Sequence, residues 1–61
     1  YIYVIEFKFN EVAEKAIDQI HDKKYYQKFL TSEKKIVLVG MSFNYKEKEL
    51  VVESIQELIK S

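Results

Sequence analysis

A chain of 61 residues is at most one small domain, and domains of this size are marginal unless disulfides, a metal or a partner chain support them. The absence of cysteine excludes disulfides and thiolate zinc sites, and a single histidine excludes a multi-histidine metal cage, so a partner chain or further sequence is the expected support. Ten lysines and no arginine balance ten acidic residues, which leaves no net basic field to draw in nucleic acid and no guanidinium for bidentate base or phosphate contacts.

Residues 1 to 9, YIYVIEFKF, are rich in β-branched and aromatic side chains and predict a first strand. Tyr1, Tyr3, Ile5, Phe7 and Phe9 share one face. Ile2, Val4, Glu6 and Lys8 share the other, which is apolar for two positions and then charged for two, as if it ran from core into a cleft. A strand interior is an unusual place for a chain to start, so the sequence reads as a piece of a longer protein: a single partial domain over 1–61 whose upstream strands are not included.

From Asn10 the period changes. Asn10 suits an N-cap, Glu11 and Glu14 suit the positive end of the helix dipole, and Ala13, Ala16, Ile17 and Ile20 recur at helical spacing, with Phe29 and Leu30 extending the apolar set. The expected helix covers about residues 11 to 30. Thr31 to Glu33 form a polar turn. Lys34 to Phe43 then predict a second strand whose centre is apolar at every position, the pattern of a strand covered on both faces in a parallel sheet. Strand, helix, strand in this order is a βαβ crossover.

Residues 44 to 60 admit two readings. Val51, Ile55, Leu58 and Ile59 fit a helical face that Asn44 and Glu47 would open as a capping box; alternatively Glu49 to Glu53 is a short edge strand and Ser54-Ile55-Gln56-Glu57 opens a final helical turn or two. The longest apolar runs, around Ile36 to Val39 and Ile2 to Ile5, fall far short of the roughly 20 residues of a membrane span. No secretory signal is readable, and the expected location is cytoplasmic.

The chemistry-bearing feature is Ile5-Glu6-Phe7-Lys8. Two positions apart on a strand, Glu6 and Lys8 project from the same face, with the Phe7 backbone carbonyl between them. A carboxylate and a carbonyl are hard oxygen ligands for a divalent cation, while the ammonium can orient water or stabilise developing negative charge. The same residues would equally make a solvated ion pair on a surface strand.

Three stretches, Tyr3-Val4-Ile5-Glu6-Phe7-Lys8, then Ala16-x-x-Gln19-Ile20-x-x-Lys23-Lys24-Tyr25, then Lys35-Ile36-Val37-Leu38-Val39-Gly40-Met41-Ser42-Phe43, resemble the C-terminal nuclease-like domain of the PD-(D/E)XK superfamily. More narrowly they resemble the bacterial group in which that domain follows an AAA-ATPase-like region. The resemblance covers about residues 1 to 53. It implies a metal-dependent nuclease fragment acting on DNA, with Glu6 and the Phe7 carbonyl as ligands of Mg²⁺, Lys8 as the catalytic lysine, Gln19 close to the site and Tyr25 in packing. It also implies the α/β fold expected here: strand, helix, strand, short strand and terminal helix, the C-terminal half of a restriction-endonuclease-like mixed sheet. The superfamily draws a further acidic residue from the strand before the Glu-x-Lys strand, which this sequence does not include. The chain by itself is therefore expected not to cleave DNA, although its parent may be a Mg²⁺-dependent hydrolase.

The alternative is a nuclease-derived module that no longer cleaves and serves interaction or oligomerisation. A sheet of two or three strands leaves edges and a face uncovered, so a homo-oligomer, paired across the first strand or by a swap of elements, or association with the missing N-terminal part is expected. His21 reads as a surface or half-buried side chain without a catalytic task, Tyr25-Tyr26 as a shield over the core rather than a platform for stacking bases, Lys23-Lys24 and Lys34-Lys35 equally as phosphate contacts or solvated ends, and Gly40 as a strand end or bulge.

Overall fold

In the computed structural model, which describes residues 1–60, the alternating opening segment forms β1, Ile2–Phe9. The apolar segment forms β2, Ile36–Lys46, and the tail forms β3, Glu49–Lys60. One helix, α1, Ala13–Lys23, connects β1 to β2. The three strands make one sheet in the order β1-β2-β3, with β1 parallel to β2 and β3 antiparallel to it. The expected α/β class and the strand-helix-strand unit both hold.

Register decides which residues share a face. Ile2 lies opposite Ile36, Val4 opposite Leu38, Glu6 opposite Gly40 and Lys8 opposite Ser42, and α1 covers this side. Ile17, Ile20, Ile36 and Leu38 form the buried core there, with Ile2, Val4, Tyr26, Phe29, Ile55 and Ile59 packed around it. Val37 and Val39 point the other way and are still buried, each flanked by side chains of both neighbouring strands. The rest of that second face is open.

The helix is shorter than its apolar period suggests. Lys24 adopts a left-handed conformation (φ 55°) that ends α1, and a single 3-10 turn, Gln27–Phe29, follows. The break lets Tyr26 and Phe29 fold back onto the core. Asn10 does not cap the helix. It also has positive φ (58°), which asparagine tolerates better than most residues, and its N–H extends the β1–β2 ladder to the Phe43 carbonyl at 2.9 Å. Val12 occupies the cap position without a side-chain hydrogen bond.

The expected terminal helix does not form; residues 54 to 60 continue β3. The long, buried β2 needs a backbone partner along its second edge, and pairing from Ile36 to Lys46 provides it. The same strand lays Ile55 and Ile59 against the core. An irregularity between Ile36 and Val37 accommodates the extra residue Ile59. Glu47 and Lys48 join β2 to β3 with both φ values positive (50° and 69°), the backbone signature of a two-residue type I′ hairpin. At the far end the Lys60 ammonium donates to the Leu30 carbonyl at 2.8 Å and to the Ser32 carbonyl, tying β3 to the loop after the 3-10 turn.

Candidate active site

Glu6 and Lys8 stand on the helix-covered face of β1, both half-buried. The β2 residues opposite them are Gly40 and Ser42, two of the smallest side chains available, so space remains above the sheet where Val4 and Leu38 would otherwise continue the core. A β-carbon on Gly40 would lie 2.8 Å from the Ala13 carbonyl oxygen, 2.9 Å from Ile17 Cγ1 and 3.1 Å from the Ala16 methyl. Gly40 is therefore neither a strand end nor a bulge. It is a mid-strand position over which α1 passes in direct contact.

That approach brings Gln19 to the pair. Its Nε2 donates to Glu6 Oε1 at 2.6 Å, and its Oε1 accepts from the Lys8 ammonium. Only one orientation of the amide satisfies both neighbours, because the carboxylate accepts and the ammonium donates. The three residues that the sequence singles out thus converge, with Gln19 spanning two side chains whose backbone positions are roughly 6.6 Å apart along the strand. Lys8 Nζ also lies 3.9 Å from Glu11 Oε2, and Lys15 Nζ lies 3.7 Å from the other oxygen of Glu11.

The loop that carries Glu11 is fixed from below. The Ser42 hydroxyl, fully buried, donates to the Glu11 carbonyl, and Asn44 Nδ2 donates to Ser42 Oγ at 2.6 Å and to the Glu11 carbonyl at 3.4 Å. Sequence reasoning gave Glu11 and Asn44 only helix-end roles and Ser42 none of its own, and so missed the tie among the three. The available signal was parity: Ser42 shares the face of Gly40 in an otherwise apolar strand.

Phe7 presents its backbone differently. The Ile2 N–H donates to the Lys35 carbonyl just before β2 at 2.6 Å and the Asn10 N–H to the Phe43 carbonyl of β2 at 2.9 Å, so the even residues of β1 turn their peptide groups toward β2. In a parallel pair the odd residues then turn theirs outward, which puts the Phe7 N–H and carbonyl on the outer edge of β1, beside Glu6. No group of three or more His, Asp or Glu side chains placed to hold a metal ion occurs among the described residues.

A family comparison matches residues 1–53 to the PD-(D/E)XK nuclease superfamily, a span that holds β1, α1, β2 and the start of β3. The chain belongs to the PD-(D/E)XK nuclease superfamily. Its sheet and connecting helix are consistent with part of a restriction-endonuclease-like fold, and nucleases of this superfamily generally use divalent metal ions. Comparison with curated proteins and with solved structures gives no significant match.

The remaining singled-out residues lie elsewhere. His21 is half-buried near the end of α1, its Nε2 3.1 Å from Glu57 Oε2 and its Nδ1 3.3 Å from the Tyr26 hydroxyl, so it links the helix to β3. Of the adjacent tyrosines only Tyr26 packs on the core. Tyr25 is exposed, with the Lys23 ammonium 6.0 Å from its ring centre, which corrects the packing role expected for it.

Proposed function

We propose that this chain carries the Glu6–Lys8 half of a metal-dependent phosphodiesterase site acting on DNA, with Gln19 holding acid and amine in fixed relation. The observation behind this reading is the Gln19 amide bridging the two side chains that the superfamily motif pairs. A bland surface ion pair needs no such bridge.

The donor chemistry fits a hard cation such as Mg²⁺: a carboxylate, Glu6, beside an outward-facing carbonyl, that of Phe7. When bound, the ion would neutralise phosphate charge and acidify water. Lys8 is the residue that meets the substrate. Its ammonium, oriented by the Gln19 carbonyl, donates to a phosphate oxygen as negative charge builds during attack by water. Glu6 serves as ligand through the carboxylate oxygen that Gln19 does not engage.

Two oxygens fall well short of the octahedral shell that Mg²⁺ demands. The 61 residues by themselves therefore bind Mg²⁺ weakly and leave DNA intact. Cleavage belongs to a longer protein that adds an acidic residue along the outer edge of β1, in an arrangement where the nuclease-like domain follows an AAA-ATPase-like region. The one-carboxylate site also favours a second reading, a nuclease-derived module that has kept the fold for contacts and given up cleavage.

NMR titration of the chain with Mg²⁺ and Mn²⁺ tests the proposal. The Gln19 side-chain amide and the Phe7 and Lys8 backbone amides should respond saturably, with a midpoint on the order of millimolar, and Glu6→Gln should abolish the response. Shifts spread without preference over the surface carboxylates, or a response unchanged in Glu6→Gln, would overturn it. In the longer protein, Lys8→Met should abolish Mg²⁺-dependent plasmid nicking; nicking that survives it would overturn the role given to Lys8, and no nicking by the wild type would leave only the contact-module reading.

A further inference from the structure

We propose that Lys15 is a second phosphate-binding residue of this site, and that without substrate the Glu11 carboxylate occupies the place between Lys15 and Lys8 that a DNA phosphate takes. The inference deepens the phosphodiesterase reading and rests on it for the nature of the substrate.

The first ground is the position of one carboxylate between two ammonium groups. Glu11 Oε2 lies 3.9 Å from Lys8 Nζ, and Glu11 Oε1 lies 3.7 Å from Lys15 Nζ. Each oxygen faces a different amine, as two oxygens of a phosphate would if the same amines shared it. Both separations exceed the about 2.7–2.9 Å of a close charge-assisted hydrogen bond, so the gap is wider than the carboxylate fills. A phosphate is the larger anion and closes it. Lys8 has donors left for this contact, because an ammonium carries three hydrogens and Gln19 accepts only one.

The second ground is how Glu11 is held. Its backbone carbonyl is fixed by Ser42 and Asn44, while its side chain is 41% exposed. Turning the carboxylate away takes side-chain torsions alone and leaves the loop in place. Ion pairs this exposed are weak, so an arriving phosphate displaces the carboxylate easily. Among the described residues Lys15 has no other ion-pair partner, and its side chain is 63% exposed.

The third ground is the order of the charges. Contacts run from Glu6 through Gln19, Lys8 and Glu11 to Lys15, from half-buried side chains out to an exposed one. Lys15 and Gln19 are one turn apart on α1, so the helix face that bridges acid and amine also carries the second cation. With Glu11 in place the charges of Glu6, Lys8, Glu11 and Lys15 cancel. With Glu11 turned out, two ammonium groups face the phosphate and Glu6 remains for the metal. A chain without arginine or net charge thus gains a two-pronged grip on phosphate from two lysines.

Metal-free NMR titration of the chain with inorganic phosphate, against sodium chloride at equal ionic strength, tests the assignment. The ε-methylene signals of Lys8 and Lys15 should move together and saturably, and Lys15→Gln should weaken binding several-fold. Glu11→Gln should tighten it by about fivefold, the scale of releasing two exposed ion pairs. That variant keeps its backbone tie to Ser42 and so its fold. Glu14→Gln removes the same charge from the exposed side of α1 and should move the midpoint by less than about twofold, because solvent screens it. A Lys15 signal that stays still, lysines that drift alike in phosphate and chloride, or equal effects of Glu11→Gln and Glu14→Gln would sink the proposal. Oligothymidylate should reproduce the pattern, and a response confined to inorganic phosphate would refute the assignment to DNA. The phosphodiesterase reading fails separately, on the Mg²⁺ response that Glu6 controls, since no metal enters this titration.

Discussion

The Cα of Gly40 faces the backbone of Ala13 so closely that a β-carbon would stand 2.8 Å from the Ala13 carbonyl oxygen. Backbone cannot swing aside as a flexible side chain would. Gly40→Ala must therefore lift the first turns of α1 from the sheet, at a cost of about 1–3 kcal/mol. Urea unfolding should show a lower midpoint with a similar slope, and the Gln19 amide resonances should move with it. An unchanged midpoint would mean that helix and strand do not meet this closely.

Gln19 transmits the contact between Glu6 and Lys8, so its removal should be visible as lost coupling. In the wild-type background, a double-mutant cycle with Glu6→Gln and Lys8→Met should return an interaction of about 0.5–1 kcal/mol. In a Gln19→Leu background the same cycle should return close to nothing. Equal coupling in both backgrounds would show that acid and amine communicate without the amide.

Ser42 and the Glu11 carbonyl form the buried tie beneath the β1–α1 loop. Ser42→Ala should cost about 1–2 kcal/mol, since the carbonyl keeps only the longer contact from Asn44 at 3.4 Å. Asn44→Ala should cost less. Amide exchange of residues 10 to 13 should accelerate in the Ser42 variant before exchange in β2 does.

The hairpin at Glu47 and Lys48 holds two non-glycine residues at positive φ. Replacing the pair by Asn-Gly should stabilise the chain by about 1–2 kcal/mol, because each left-handed non-glycine residue costs at least about 1 kcal/mol and asparagine keeps part of that cost. Thermal unfolding is the check: a lowered melting temperature would show that Glu47 and Lys48 make contacts that outweigh their backbone strain.

The parts of this structure that could be read in advance are those set by local periodicity. Alternation in residues 2 to 9 and the apolar run from Ile36 to Val39 announce two strands, and the spacing of Ala13, Ala16, Ile17 and Ile20 announces the helix between them. What stayed hidden depends on partners distant in sequence. Ser54-Ile55-Gln56-Glu57 carries a valid helix-start pattern, and only the demand of β2 for a second neighbour turns it into strand. Lys24 ends the helix because Tyr26 and Phe29 have a core to reach, which no window around Lys24 reveals. The site divides in the same way. Parity places Glu6 and Lys8 together, and resemblance points to Gln19. The direct bridge by its amide, and the buried Ser42 beneath the neighbouring loop, emerge only when β1, β2 and α1 are packed.

The outward-turned peptide groups of Tyr3, Ile5, Phe7 and Phe9 leave the outer edge of β1 without a strand partner among the described residues. A separate peptide docking alongside would find donors and acceptors already spaced for it, and alternate residues of that newcomer would emerge beside Glu6. Acidity could thus be supplied in trans, by complementation, without disturbing the bridge that Gln19 maintains.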